Sequence, residues 1–305
     1  MKIAVVGSYG VGMTMRVARV PGPGETISGG SYSAGPGGKG SNQAIAAARL
    51  GAQVSLLTAV GADVFGEEAR ALWRTEGVDA TQVVTGTQPT MVGFILVDES
   101  GENRIAIASG ALDDLTPAHV EGFRETIRAS DLLVVSMEIP MPAVVAALQI
   151  AHEVGTRTLL NPAPAAQPPD RAWEWIDLVT PNRTEAPLLL GLDPASGLTP
   201  RELVEALRKR TAAAIVLTLG AAGSLVCEGD TMTTVEASPA PRVVDTTGAG
   251  DSFTAALAVA LLEGLPLVAA VRYASAAGAH AVTIEGVIAA LPTNEDIQNL
   301  IGQTG

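Results

Sequence analysis

Short, almost wholly apolar runs recur along the chain at Ile3–Val6, Val54–Val60, Leu132–Val135, Thr158–Leu160, Asp177–Val179 and Ile215–Leu219. Runs this apolar at consecutive positions predict strands buried on both faces, hence a mainly parallel sheet covered by helices. Between them, helical patterns span Ser41–Leu50, Phe65–Thr75, Pro117–Ala129, Pro142–Glu153, Pro200–Arg210, Ala249–Glu263 and Leu267–Val282. Strand and helix alternate, so the predicted fold class is α/β with a doubly wound, mainly parallel sheet.

Two regions break the alternation. Met13–Val20 and Gly30–Ala34 flank the turn-rich segment Pro21–Thr26, and Thr90–Val97 and Ile105–Ala108 flank Asp98–Asn103, which are hairpin signals. These pieces, at about residues 10–36 and 88–110, predict a small discontinuous β-sheet lid over one edge of a single α/β domain covering residues 1–305.

Composition narrows the partners. The 305 residues carry 19 Lys and Arg against 32 Asp and Glu, a net charge of −13, which argues against nucleic acid and against anionic membrane surfaces. Met1–Gly7 reads as a strand ending in a glycine turn rather than as a secretory leader, and the longest apolar stretch, Phe253–Leu262, is too short to span a bilayer. Cys227 is the only cysteine, which excludes an internal disulfide and a cysteine-rich zinc site and suits a cytoplasmic protein. His119, His152 and His280 lie scattered in helical segments without a paired acid or thiol, and Trp73, Trp173 and Trp175 form no stripe; both sets are assigned to packing or surface.

The most informative string is Asp245–Asp251, DTTGAGD, which opens a helix. Gly248, Ala249 and Gly250 stand where unpaired N–H groups point out of a helix N-terminus, and their small size lets an anion approach the positive end of the helix dipole. A carboxylate at Asp251 fits such an anion hole if it takes the proton from a hydroxyl attacking a phosphate; it fits equally an N-cap after a glycine-rich turn. Gly37–Asn42, GGKGSN, is a near miss for a phosphate-binding loop of the G-x-x-x-x-G-K-[ST] type, because Ser33 stands where its first glycine belongs and Gly40 follows Lys39. Gly7–Gly12, GSYGVG, spaces its glycines unlike a dinucleotide fingerprint, which weighs against an oxidoreductase. Asn161–Pro164, Thr180–Glu185 and Thr218–Gly223 each follow a strand, and polar loops at the carboxyl ends of parallel strands mark one cleft. Asn182 and Glu185 could meet a metal–phosphate there.

GSYGVGMTMRVARVPGPGETI, GGKGSNQA, SMEIP, NPAPA, TPNRTEA, TLGAAGS, DTTGAGD and RYASAAGAHAVT together resemble the ribokinase-like (PfkB) carbohydrate kinases over almost the whole chain. Two of them, GGKGSNQA and DTTGAGD, match the family's two signatures. The resemblance implies an ATP-dependent kinase acting on a hydroxymethyl group of a small sugar, with Asp251 as catalytic base and Gly248, Ala249 and Gly250 as the anion hole. It implies sugar contacts around Gly10, Gly12, Gly38, Lys39, Asn42 and Glu138, and nucleotide contacts from Asn182, Thr218, Gly220, Gly223 and Ser275. It implies Mg²⁺ held through water by Glu185, and a K⁺ site at the Asp245 carboxylate and the carbonyls of Thr247, Ala281, Ile284 and Gly286, with Ala290 replacing a side chain that can add a ligand in relatives. Pairing of lid strands between subunits is implied as well, giving a homodimer.

The departures are local. Gly10 and Gly12 stand where the family carries an Asn and an Asp that hold sugar hydroxyls, so D-ribose is expected to be a poor substrate. A nucleoside or a modified pentose is the alternative substrate, and a non-catalytic sugar- or nucleotide-binding regulator is the alternative of another class. Ser275 replaces a histidine that packs on adenine, a change in packing rather than in chemistry.

Overall fold

The computed structural model describes residues 1–304. The strands are β1 (Lys2–Val6), β2 (Gly10–Arg16), β3 (Ser31–Gly37), β4 (Gln53–Leu57), β5 (Ala59–Val60), β6 (Val78–Asp79), β7 (Val84–Thr85) and β8 (Val92–Val97). They continue as β9 (Asn103–Ala108), β10 (Leu132–Ser136), β11 (Arg157–Asn161), β12 (Leu178–Val179), β13 (Ala214–Thr218), β14 (Ser224–Glu228) and β15 (Thr231–Val235). The helices are α1 (Lys39–Arg49), α2 (Val64–Thr75), α3 (Pro117–Gly122), α4 (Arg124–Arg128), α5 (Met141–Val154) and α6 (Glu185–Leu189). They are followed by α7 (Pro200–Leu207), α8 (Ala249–Leu262), α9 (Leu267–Ala281), α10 (Val287–Ala290) and α11 (Asn294–Thr304).

One nine-stranded sheet runs β15-β14-β13-β12-β11-β10-β1-β4-β6, and every pairing in it is parallel except β13 with β14 and β14 with β15, so that β14 runs against the rest. Alternation along β1 divides the core: Ile3 and Val5 face a cluster built with α1, α8 and α9, whereas Ala4 and Val6 face one built with α5 and α7. Each side buries a continuous apolar layer, the arrangement that makes these strands apolar at every position. The order in which strands are added reverses at β1, with β4 and β6 on one side and β10, β11, β12 and β13 on the other, so the crevice at its carboxyl end is the switch point where such sheets take ligands.

The predicted small sheet forms, in the order β3-β2-β8-β9, with β2 antiparallel to β3 and parallel to β8. Its surface is unusually apolar: Tyr32 is 62% exposed, Ile105 58%, Ile107 55% and Phe94 54%.

Several expectations need correction. The run Val54–Val60 is two strands broken at Thr58, because the Thr58 carbonyl accepts the Val84 N–H and β5 pairs with β7 outside the main sheet. Pro117–Ala129 is two short helices, α3 and α4, meeting at Phe123, which is buried. The lid strands start and stop a few residues from their expected bounds, β2 beginning at Gly10 rather than Met13 and β3 ending at Gly37 rather than Ala34.

Candidate active site

Helix α1 delivers most of one wall. Its N-cap, Gly38, has φ 91°, and a Cβ there would stand 2.5 Å from the Tyr9 Cα; a Cβ on Gly40 would stand 2.5 Å from the Gly7 carbonyl carbon. Only glycine permits this backbone-on-backbone contact, and it presses the first turn of α1 against the carboxyl end of β1. From that turn Lys39, Asn42 and Gln43 point toward the start of α8.

Helix α8 supplies the opposite wall. Gly248 caps it in the left-handed region, φ 81°, and Asp251 lies in its first turn with only 7% of its surface exposed. Gly248, not Asp251, is the N-cap, so the capping role open to Asp251 in the sequence is not the one it takes. Its carboxylate instead reaches α1: Asn42 Nδ2 donates to Oδ2 at 2.8 Å and Gln43 Nε2 donates to Oδ1 at 3.0 Å. Burial pushes the Asp251 carboxyl above the usual carboxylate range, against the Lys39 charge and these two donors, which pull it down. Burial draws the Lys39 ammonium down, but the carboxylates of Asp251, Glu138 and Glu185 outweigh it and its pKa is raised, so Lys39 is a cation in an acidic ring.

Glu138, after β10, anchors that ring from below. Its Oε2 accepts from the Ser8 hydroxyl and, at 3.1 Å, from the Lys39 backbone N–H. Glu185, at the start of α6, accepts the Asn182 N–H at 2.8 Å, and burial raises its carboxyl overall. The Asn182 side-chain oxygen is taken up by Thr184 and by the Glu185 N–H, so this residue shapes its own turn as well as facing the site.

Between these walls lies a cavity of about 300 Å³, lined by Lys39, Asn182, Glu185, Thr218, Gly248 and Asp251 among others. Thus the structure brings together the two signature strings and the loops after β11, β12 and β13, as the cleft argument anticipates. Gly220 and Gly223 sit in a short turn beyond β13 and do not line this cavity; the Ser275 hydroxyl, midway along α9, accepts the Ser238 N–H at 2.9 Å. Beside α8, Asp245 takes bonds from the Thr247 hydroxyl and N–H and from the Gly286 N–H; burial opposes ionisation, but these donors prevail and hold its carboxyl low. Ala281 and Ile284 share the adjacent turn, where the Ile284 N–H bonds the Ala281 carbonyl.

Gly10 and Gly12 differ from one another. A Cβ on Gly10 would lie 2.3 Å from Met91 Cε, whereas a Cβ on Gly12 meets nothing closer than Ile95 Cδ1 at 3.9 Å. Met91 therefore fills the space beside residue 10, and the space beside residue 12 is open.

Two residues escape sequence reading. Gln43 follows Asn42 in the second signature, and its side chain, 1% exposed, bonds Asp251 and Asn161 together. The available signal was a pair of amides, Asn42 and Gln43, at the head of an otherwise small and apolar helix face. Met91 carries no signal at all, since its relation to Gly10 exists only across the β2–β8 junction.

A buried carboxylate at a glycine-opened helix N-terminus, with a lysine and a second carboxylate across a cavity, is an arrangement chemically suited to phosphoryl transfer. Residues 2–294 match the pfkB family of carbohydrate kinases. The chain is 36% identical over 295 residues to a ribokinase of Haemophilus influenzae, covering 96% of each. It is 32% identical over 305 residues to a deoxyribokinase of Salmonella typhi, covering 99% of each. Among solved structures, Arabidopsis thaliana ribokinase complexed with ribose and ATP superposes with a TM-score of 0.90 at 29% identity, covering 98% of each chain. The protein belongs to the pfkB family of carbohydrate kinases and is an ATP-dependent sugar kinase.

Proposed function

We propose that this kinase transfers the γ-phosphoryl group of ATP to a hydroxymethyl group of a small sugar, with Asp251 as general base. The sugar oxygen attacks phosphorus in line; the O–P bond forms as the bond to the β,γ-bridging oxygen breaks, the hydroxyl proton passes to Asp251, and ADP leaves. The observation that carries this reading is the Asp251 carboxylate itself, buried at the start of α8 beside the cavity with both oxygens held by amides. Gly248, Ala249 and Gly250 offer N–H groups to the charge that develops on the transferring phosphoryl oxygens, Ala249 by giving up a long 3.4 Å bond to the Thr246 carbonyl. Asn42, Gly38 and Glu138 hold the sugar, and Lys39 balances the negative charge gathered there. The nucleotide takes the side of Asn182 and Thr218, with Gly220, Gly223 and Ser275 farther along it.

The oxygen ligands of Glu185 and Asn182 suit a hard, hydrated cation, and no cluster of three or more His, Cys, Asp or Glu forms a dedicated metal cage among the described residues. Glu185, through water, and Asn182 would hold Mg²⁺, which when bound would neutralise phosphate charge. Asp245, Thr247, Ala281, Ile284 and Gly286 fit a K⁺ site that steadies the turn before α8 without touching sugar. No helix of the described residues is long and apolar enough to cross a membrane; we place the protein in the cytoplasm, as a single α/β domain with its lid, working as a homodimer through the apolar lid surface.

The open space beside Gly12 favours a second substrate reading, a nucleoside or modified pentose with a changed or bulkier 2,3-edge, over D-ribose. A non-catalytic regulator leaves the Asp251 arrangement without purpose. ADP release measured over ribose, 2-deoxyribose, fructose, pentonic acids and nucleosides tests the proposal. Turnover of at least one, with ribose not leading, supports it; no turnover of any supports the regulator, and a wide lead for ribose removes the substrate argument. In Gly12→Asp, a gain specific to ribose is the expected companion result.

A further inference from the structure

The Gln43 amide is committed in a way that the neighbouring Asn42 amide is not. Gln43 Nε2 donates at 3.0 Å both to Asp251 Oδ1 and to Asn161 Oδ1, at the carboxyl end of β11. Turning this amide over would set its Oε1 against two oxygens, so the donor face toward Asp251 is fixed. Its Oε1 is buried without a partner, a cost accepted to keep the two donated bonds. Asn42 has no second anchor, and its Oδ1 is also buried and unpartnered, so Asn42 can turn toward a ligand and give up its bond to Asp251. When the sugar engages Asn42, Gln43 is the donor that stays.

We propose that Gln43 is a positioning residue for phosphoryl transfer: anchored by Asn161, its amide fixes the rotation of the Asp251 carboxylate and presents it as an acceptor to the sugar hydroxyl. This rests on the reading of Asp251 as base. A carboxylate free to rotate in the cavity spends much of its time misaligned, and a base loses rate steeply when its lone pair leaves the line of the proton. The same bond favours the charged form of Asp251 against burial. The other charged groups facing Asp251 are Lys39 from α1, Glu138 from the loop after β10 and Glu185 from α6, and none of them changes when Gln43 is replaced.

The test is the pH profile of kcat/KM, by ADP release with the best sugar of the panel, for the wild type, Gln43→Met, Gln43→Glu and Asn161→Ala. In Gln43→Met the acid limb moves to higher pH by about one unit, and kcat on the alkaline plateau falls about tenfold while KM for ATP changes little. Gln43→Glu sets a second carboxyl against Asp251 and moves the limb further in the same direction. Acid limbs that coincide with the wild type, or a drop equal at every pH together with a loss of thermal stability, would overturn the proposal. If the Gln43 variants do not fold, Asn161→Ala releases the same amide from its other end; a limb shifted upward supports the proposal and an unshifted one overturns it. Asp251→Asn separates the two readings. An inactive Asp251→Asn with unshifted Gln43 limbs sinks the positioning role alone, whereas an active Asp251→Asn sinks the base assignment and with it the premise.

Discussion

Adding one methyl group at Gly10 and at Gly12 is expected to have opposite consequences, although the two residues lie on the same face of β2. In Gly10→Ala the new carbon would stand 2.3 Å from Met91 Cε and 2.9 Å from the Met91 carbonyl oxygen, against an ordinary contact of about 3.5–4.0 Å. A methionine can swing its methyl away, but Met91 is 7% exposed and packed in the core layer that holds Leu112 and Leu115, and its carbonyl already accepts the Val11 N–H. The overpacking should cost about 1–3 kcal/mol. In Gly12→Ala the nearest atom is 3.9 Å away and φ is not in the left-handed region, so stability should stay within about 0.5 kcal/mol or rise slightly as the unfolded chain loses freedom. Urea unfolding of both variants, with Met91→Ala added to each, completes the experiment. Met91→Ala alone should cost about 2–5 kcal/mol by leaving a cavity, and this penalty should shrink in the Gly10→Ala background, where the new methyl occupies part of it. A Gly10→Ala protein as stable as the wild type, or equal losses at both glycines, would refute the claim that Met91 fills the space beside residue 10.

Asp63 caps α2 by accepting the Gly66 N–H and also takes two bonds from Thr90; burial opposes ionisation, yet these donors prevail and its carboxyl is held low. Because its folded pKa lies below the unfolded value of roughly 4, its contribution is present above that pH and is lost as pH falls through the folded value; the acid-side decline in urea stability should therefore flatten in Asp63→Asn. K⁺ should raise kcat over Na⁺ and over a large organic cation at matched ionic strength, and equal rates in all three would remove the cation site at Asp245. Replacing Tyr32 and Phe94, which the strand register puts on one face of the exposed lid, by Glu should shift the sedimentation coefficient from dimer to monomer, and an unchanged value would show that this lid face is not the contact.

How far the chain could be read depends on where the determinants lie. β1, β10 and β11 are buried on both faces, so their apolar runs are diagnostic; β14 and β15 form an antiparallel edge hairpin, and β15, with Met232 among three threonines before Val235, lacks that signature. Helix α6 is too short to show a period, and the turn that begins it was legible only through Asn182 and Glu185. Asp251 and the small residues before it were legible because an anion site needs them contiguous. The partners of Asp251 were not, since Gln43 stands 208 residues away and only the packing of α1 on α8 unites them. The same holds for Met91 and Gly10, where a missing side chain in one strand is compensated by a long one arriving from another segment.

The central claim is that Asp251 takes the proton from the attacking hydroxyl. It is tested most directly by the turnover of Asp251→Asn with the best sugar of the panel, alongside ATP affinity by calorimetry. Asparagine keeps the shape and the reach to Gln43 but cannot accept the proton, so kcat should fall by ~10²–10⁴ while ATP binding is nearly unchanged. Turnover within a few-fold of the wild type would contradict the assignment.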